Sequence, residues 1–183
     1  MTITRKPFYL MRHAQSTDNE QGLISGAGSD PHLSALGRAQ AEEARQVYLK
    51  LGTLPEKIIV SGLVRTHQTA HLVVGHTDFI IDPNLNERHL GDLDGKISEA
   101  EQITRKTLPG EESSADHRAR VLKALNQHLT RDTLPLFICH GGTVRRVMEL
   151  TGIRHEQRIG NAEIFYLAPG TSGWRAIKAG ESS

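Results

Sequence analysis

Cysteine is all but missing: Cys139 stands alone among 183 residues, so no internal disulfide can staple the fold. A reducing cytoplasm suits such a chain. No window approaches the ~18 consecutive apolar residues that a membrane-spanning helix needs. The opening MTITRKPFYLMRHAQS is basic at its start but has too few apolar residues before Arg12 for a signal-peptide core. Charge of one sign is not in excess either, with 22 Lys and Arg against 21 Asp and Glu, net +1. That balance gives no bulk pull toward nucleic acid or an anionic membrane, so neither is expected as a partner. Any anion must be held by a few focused residues. Ten histidines are present, but no HExxH and no Cys/His ligand spacing, which speaks against a zinc hydrolase. There is no internal repeat and no low-complexity tract. Gly22–Asp30 is rich in Gly and Ser, yet reads as an ordered loop because helix signals follow at once.

What is present is an ordinary globular composition, 37% apolar and 23% charged. The length fits one domain over residues 1–183 with a core of its own, and the small polar tail from about Ala179 is expected to fray. Short β-branched runs alternate with longer helical ones. The strands are predicted at Phe8–Met11, Lys57–Val60, Phe79–Ile81, Leu136–Cys139, Ile164–Leu167 and Trp174–Ile177. Helices are predicted at Ser34–Leu51, Val64–Val74, about Ala115–Thr130 and Val144–Leu150. In the first, Leu36, Gln40, Ala44, Val47, Tyr48 and Leu51 share one mostly apolar face, and in the third Val121, Leu122, Leu125 and Leu129 point inward. This alternation predicts a three-layer α/β/α sandwich around a mostly parallel sheet of about six strands.

Three strand-like runs end in polar clusters. The first gives Arg12-His13-Ala14-Gln15-Ser16, with Asn19 close behind. The second gives Ser61-Gly62-Leu63-Val64-Arg65-Thr66, and the fourth Cys139-His140-Gly141-Gly142-Thr143. Ligands of open parallel sheets bind beyond the carboxyl ends of the strands, where helix N-termini present N–H groups. Two arginines, two histidines and glycine-bared amides at such ends describe an anion pocket, with phosphate as the natural occupant. After the third strand, Asn86-Glu87-Arg88-His89-Leu90-Gly91 supplies a carboxylate. Taken singly, each residue has a plainer account: a half-buried satisfied histidine, a surface ion pair, a solvated turn. Their joint placement at strand ends is what points to chemistry.

Together, LMRHAQS-x-x-N, SGLVRTHQTA, LNERHLG and CHGG resemble the histidine phosphatase superfamily, also called the phosphoglycerate mutase-like family. The resemblance runs in order from Tyr9 to at least Arg145 and includes SDPHLSALG at Ser29–Gly37 and GEES at Gly110–Ser113. Ala14 replaces the usual glycine, and Gln15 stands where many members have Glu. The resemblance implies His13 as a nucleophile forming a phosphohistidine. Such a nucleophile is a neutral imidazole with one nitrogen unprotonated and the other donating to a fixed acceptor such as a backbone carbonyl. Arg12, Arg65 and a cationic His140 would surround the transferring phosphoryl group, and Asn19 and the Gly141 amide would add neutral donors. These positive residues stand in for a metal, so neither metal nor cofactor is expected. Glu87 would be the acid that protonates the leaving alkoxide and then activates water. Glu20, Asp92 and Asp94 are rival carboxylates off the family position. Ser25 and Gly26 match a substrate-lining step of the mutases, and Arg88 a substrate-contacting arginine there.

The implied function is metal-independent phosphomonoester hydrolysis, of a small phosphorylated metabolite or a phosphohistidine protein, by a cytoplasmic monomer or homodimer. The alternative is mutase-type phosphoryl transfer. Against it, only about fifty residues separate Glu87 from His140, leaving no room for the long helical insertion of mutases. Lys96 is displaced from the family lysine, and Arg105-Lys106 only loosely echoes a paired-arginine clamp. A non-catalytic phosphate-binding regulator is the third reading, but such proteins commonly lose the nucleophile, and His13 is intact.

Overall fold

Residues Phe8–Arg12 are buried without a break and form the strand β1, a run of bulky side chains with no polar alternation. Such a run belongs inside a sheet covered on both faces. The computed structural model describes residues 2–96, 109–130, 133–154 and 159–181. Among them β1 is followed by the single-turn helix α1 (Thr17–Glu20), then α2 (Ala35–Tyr48), β2 (Lys57–Val60), α3 (Val64–Val74) and β3 (Ile80–Ile81). After two 3-10 turns come α4 (Ser114–His128), β4 (Pro135–Cys139), α5 (Gly141–Thr151), β5 (Ile164–Gly170) and β6 (Gly173–Lys178).

The six strands form one sheet in the order β3-β2-β4-β1-β5-β6. The β3-β2, β2-β4 and β4-β1 pairings are parallel, with Tyr9 opposite Leu136 and Arg12 opposite Cys139. β5 runs antiparallel to both β1 and β6, which closes the C-terminal edge as a hairpin. Alternation along β1 divides the core in two. Phe8 and Leu10 pack with Val121, Leu125 and Val147 from α4 and α5. Tyr9 and Met11 pack with Ala41, Ala44, Ala70 and Val73 from α2 and α3. Burying each large side chain contributes roughly 1.5–3 kcal/mol, so both helix layers are held to the sheet by many comparable contributions. The expected three-layer sandwich with a mostly parallel six-stranded sheet is what forms.

Departures from the expected elements are local. α5 starts at Gly141, three residues before the expected Val144, because Gly141-Gly142-Thr143 is already helical. The inner face of α2 is Gly37, Ala41, Ala44 and Tyr48, while Leu36 is exposed. The helix is turned by Gly37: a Cβ there would stand 1.9 Å from the Gln15 carbonyl oxygen, so α2 lies directly on the loop that follows β1. At the far end, Ala179 is tied by its amide to the Ile164 carbonyl.

The four parallel strands all point their carboxyl ends the same way. Arg12 and His13 close β1, Ser61 follows β2, His140 follows β4, and the segment after β3 leads through Asp82 to Glu87.

Candidate active site

His13 is positioned by the sheet itself. Its amide donates to the Cys139 carbonyl at 2.9 Å, extending the β1-β4 ladder, and its carbonyl accepts from Asn161 at 2.9 Å. The ring Nδ1 lies 2.6 Å from the Ala14 carbonyl oxygen. A carbonyl can only accept, so in the neutral ring Nδ1 carries the proton and Nε2 presents a lone pair. Burial pushes the pKa down to about 3, aided by the charges of Arg65 and Arg12 and opposed by the Ala14 hydrogen bond. The imidazole is neutral through the physiological range, as nucleophilic attack demands.

Beside it stands His140, with ring centroids 5.1 Å apart. Arg65 donates from Nε to His140 Nδ1 at 3.2 Å, so the proton of His140 sits on Nε2 and goes to Ser61 Oγ at 2.7 Å. Ser61 Oγ also accepts the Leu63 amide and shares a hydrogen bond with Thr66 Oγ1. Burial, and then Arg65 and His13, hold the His140 pKa well below its ordinary value. His140 is therefore neutral here, and the cationic form expected with bound phosphate requires Arg65 to release Nδ1. Arg65 is fully buried; its Nη1 and Nη2 donate to the Ser29 and Gly26 carbonyls at 2.9 and 3.0 Å, with Asp30 at 3.8 Å. Arg12 donates from Nη1 to the Ile159 carbonyl, and its guanidinium lies 3.4–3.5 Å from where a Cβ on Gly141 would project. Gly141 thus lets the cation lie against the first turn of α5.

Glu87 reaches the same place from the loop after β3. Its Oε2 accepts the Gly142 amide at 2.6 Å and its Oε1 the Arg88 amide at 2.8 Å. The carboxylate is buried and replaces an N-terminal cap that α5 lacks, for the N-cap residue His140 makes no side-chain bond of that kind. α3 is in the same situation: Leu63 cannot cap it, and Asp30 accepts the Val64 amide instead. By contrast α1, α2 and α4 start at Ser16, Ser34 and Ser113, each capping its own helix. The two helices that open on the site are capped from a distance, by carboxylates on loops.

Arg12, His13, Arg65, Glu87 and His140 are thus gathered at one end of the sheet. The outer residues are engaged more locally. Asn19 Oδ1 faces the Ser16 amide in the capping box of α1, which leaves its NH₂ as the donor. Ser25 bonds Ser29. The Gly26 amide donates to Asp94, and a Cβ on Gly26 would strike that carboxylate and the Arg88 carbonyl. Arg88 donates to the Glu112 carbonyl and pairs with Glu111. Of the rival carboxylates, Glu20 and Asp92 are exposed and Asp94 clamps the Gly26 and Gly28 amides, so Glu87 alone of the four is buried against the first turn of α5. Arg105 and Lys106 lie outside the described residues.

Three contributors are given no role by the sequence, although Ser61 and Thr143 stand in its strand-end clusters. Ser61 orients His140. Thr143 donates to the Asn86 carbonyl at 3.1 Å and is itself contacted by His117 Nε2 at 3.2 Å. Arg120 holds the loop that carries Glu87 through several backbone carbonyls. The GEES segment, whose Glu112 grips Arg120, was the available signal. Among the described residues, no three of His, Cys, Asp and Glu gather into a set able to hold a metal ion, and no helix is long and apolar enough to cross a membrane.

The arrangement has relatives. Agropine synthesis reductase of Rhizobium rhizogenes is 30% identical over 178 residues, which are 91% of this chain but 40% of that protein. The chain thus spans about two fifths of the length of that relative. A 2,3-bisphosphoglycerate-dependent phosphoglycerate mutase of Bartonella henselae is 32% identical over 82% of this chain and 84% of its own. Among solved structures, a mycobacterial glucosyl-3-phosphoglycerate phosphatase complexed with VO3 superposes with a TM-score of 0.72 at 26% identity, over 97% of this chain and all of that one. The profile of the histidine phosphatase superfamily (branch 1) matches residues 8–181, from the first residue of β1 to beyond the last of β6, and the chain belongs to that superfamily.

Proposed function

We propose that the protein is a phosphomonoester hydrolase that works through a phosphohistidine on His13. The observation that carries this reading is the Nδ1 bond to the Ala14 carbonyl, which leaves Nε2 unprotonated among the guanidinium groups of Arg12 and Arg65. In the first step Nε2 attacks phosphorus, the N–P bond forms, and the P–O bond to the leaving alkoxide breaks while Glu87 gives that oxygen its proton. In the second, water attacks phosphorus and passes a proton to Glu87; the N–P electrons return to Nε2 and phosphate departs. Arg12 and Arg65 meet the charge on the equatorial oxygens, where fixed cations favour the transition state over the ground state. An arriving dianion that draws the Arg65 guanidinium away from Nδ1 frees His140 to take a proton and become a further cationic donor.

The likeness to a phosphoglycerate mutase supports the second reading, phosphoryl transfer between positions of one substrate. Hydrolysis is favoured because the chain leaves no room between Glu87 and His140 for the long mutase insertion, and because Arg88, the candidate substrate-contacting arginine, is engaged by Glu111 and Glu112. The substrate would be a small phosphorylated metabolite or a phosphohistidine protein, handled in the cytoplasm without metal or cofactor.

The test is a screen of phosphate release from metabolites and phosphohistidine peptides, with His13→Ala as control, and trapping of label under alkaline conditions that spare the phosphoramidate. Release with labelled His13, absent from the variant, is the expected outcome. Activity intact in His13→Ala would sink the mechanism. Interconversion of phosphoglycerates that depends on a bisphosphate, without net release, would replace hydrolysis by the mutase reading.

A further inference from the structure

We propose that Arg120, held by Glu112, is the positioning residue for the acid: it fixes the Asn84–Glu87 loop so that the Glu87 carboxylate stays over the first turn of α5. The inference rests on the reading of Glu87 as proton donor. A guanidinium has five N–H donors in a planar fork. All five are engaged here. Nε and Nη2 clasp the Glu112 carboxylate at 2.6 and 2.8 Å; Nη1 donates to the Asn84 and Asn86 carbonyls at 2.8 and 2.7 Å; Nη2 donates to the carbonyl of Glu87 itself at 2.9 Å. Three carbonyls within four consecutive residues converge on one side chain, which ties the loop that carries the acid to α4. A lysine ammonium, with three donors on a flexible stem, cannot reproduce that planar grip.

Glu112 is in turn fixed. Its Oε2 also accepts the His89 amide, and burial, which pushes its pKa up, is outweighed by the hydrogen bonds and charge of Arg120, so the carboxylate is held below its ordinary range. The fork is thus presented by a charged partner that does not touch the reacting atoms. A second brace, Thr143 to the Asn86 carbonyl, enters from α5, the helix whose amide Glu87 caps. The loop is therefore clamped between α4 and α5, and only the α4 clamp reaches the Glu87 backbone directly.

The experiment compares Arg120→Lys, Glu87→Gln and their combination, using glycerol 2-phosphate, whose leaving alkoxide needs a proton, and p-nitrophenyl phosphate, whose leaving group does not. A displaced catalytic group costs on the order of 10²-fold. Arg120→Lys is expected to lower kcat/KM, which reads the step that releases the alkoxide, by about 10–100-fold with glycerol 2-phosphate and by less than about 3-fold with p-nitrophenyl phosphate. In the combined variant the lysine should add no further loss, since the group it misplaces is gone. Arg120→Ala should regain glycerol 2-phosphate turnover when guanidinium ion is added. Should Arg120→Lys fail to fold, Glu112→Gln, which loosens the same fork, is expected to show the same substrate contrast at smaller size. Equal losses with both substrates, or full additivity with Glu87→Gln, overturn the proposal. Absence of the contrast in Glu87→Gln itself overturns the acid reading and the proposal with it. A contrast there but not in the Arg120 or Glu112 variants overturns the proposal alone.

Discussion

The two halves of the site are held by different kinds of bond. The half around His13, the proposed nucleophile, is backbone work: His13 is fixed by the β1-β4 ladder and by the carbonyl of its own neighbour, and Arg65 by the carbonyls of Gly26 and Ser29. The half around Glu87, the proposed acid, is side-chain work: Glu87 stands on an irregular segment whose carbonyls are gathered by Arg120 and Thr143. A strand-end residue inherits its direction from the sheet, and changing a neighbouring side chain leaves the ladder in place. A loop residue keeps its direction only while specific partners hold it. The first half should therefore respond to substitution all or none, and the second by degrees.

The sharpest break of that symmetry is removal of each reacting group. His13→Ala should reduce turnover of every phosphomonoester to background, since in the proposed mechanism His13 is the group that accepts the phosphoryl. Where leaving-group departure limits the rate, as kcat/KM reports, Glu87→Gln should cost about 10²–10⁴-fold with alkyl phosphates and far less with p-nitrophenyl phosphate, the usual range of general-acid assistance. Steady-state rates with both substrates decide it, and identical profiles for the two variants would erase the distinction between the halves.

Gly142→Ala tests the acid half without touching its chemistry. The added Cβ would stand 2.2 Å from Glu87 Oε1, the far end of a side chain that can swing away. The fold should survive, since alanine suits a helix better than glycine, while alkyl phosphate turnover falls about 10–100-fold. A variant with unchanged kinetics would show that the carboxylate position over α5 does not matter.

A smaller effect belongs to stability. Burial, the first cause in each case, lowers the pKa of His13 to about 3 and of His117 to about 4, and carries His140 well below its ordinary value. The unfolded chain therefore binds the extra protons below about 6.5, where free histidine titrates. The stability these buried neutral rings contribute is intact above that pH and is lost as pH falls toward the folded values, at about 1.4 kcal/mol per pH unit for each linked proton. Urea midpoints between pH 7 and pH 5 should fall in the acid direction, and His117→Gln should flatten the slope. A midpoint that rises on acidification would contradict the neutral rings.

The legibility of the sequence follows the same division. β2 and α3 lie at their predicted limits, because an apolar run and a helical period closed by Gly75, at φ +88°, are local signals. The strand-end clusters were readable because parallel sheets collect ligands there. On the inner face of α2, Ala44 and Tyr48 are buried and Val47 and Leu51 pack against the core as the pattern implies, but counting apolar residues promotes Leu36 and overlooks a glycine pressed on a carbonyl. Arg120 reads as a solvated charge on a helix whose inward face is Val121, Leu122 and Leu125. The nearby GEES segment signals its carboxylate partner, but not the carbonyls some thirty residues away. Long-range side-chain grips are what a single sequence hides.

The strand order also sets when chemistry can begin. β1 has as its parallel neighbour β4, so Tyr9 lies opposite Leu136 and the His13 amide finds its partner in Cys139. Contacts between such distant parts of a chain form slowly, because a long loop must close first. Until β4 pairs with β1, the His13 amide lacks its Cys139 partner and the His140 ring is not beside it. The two histidines of the site therefore meet through a contact between distant parts of the chain, and the site can be no older than the middle of the sheet.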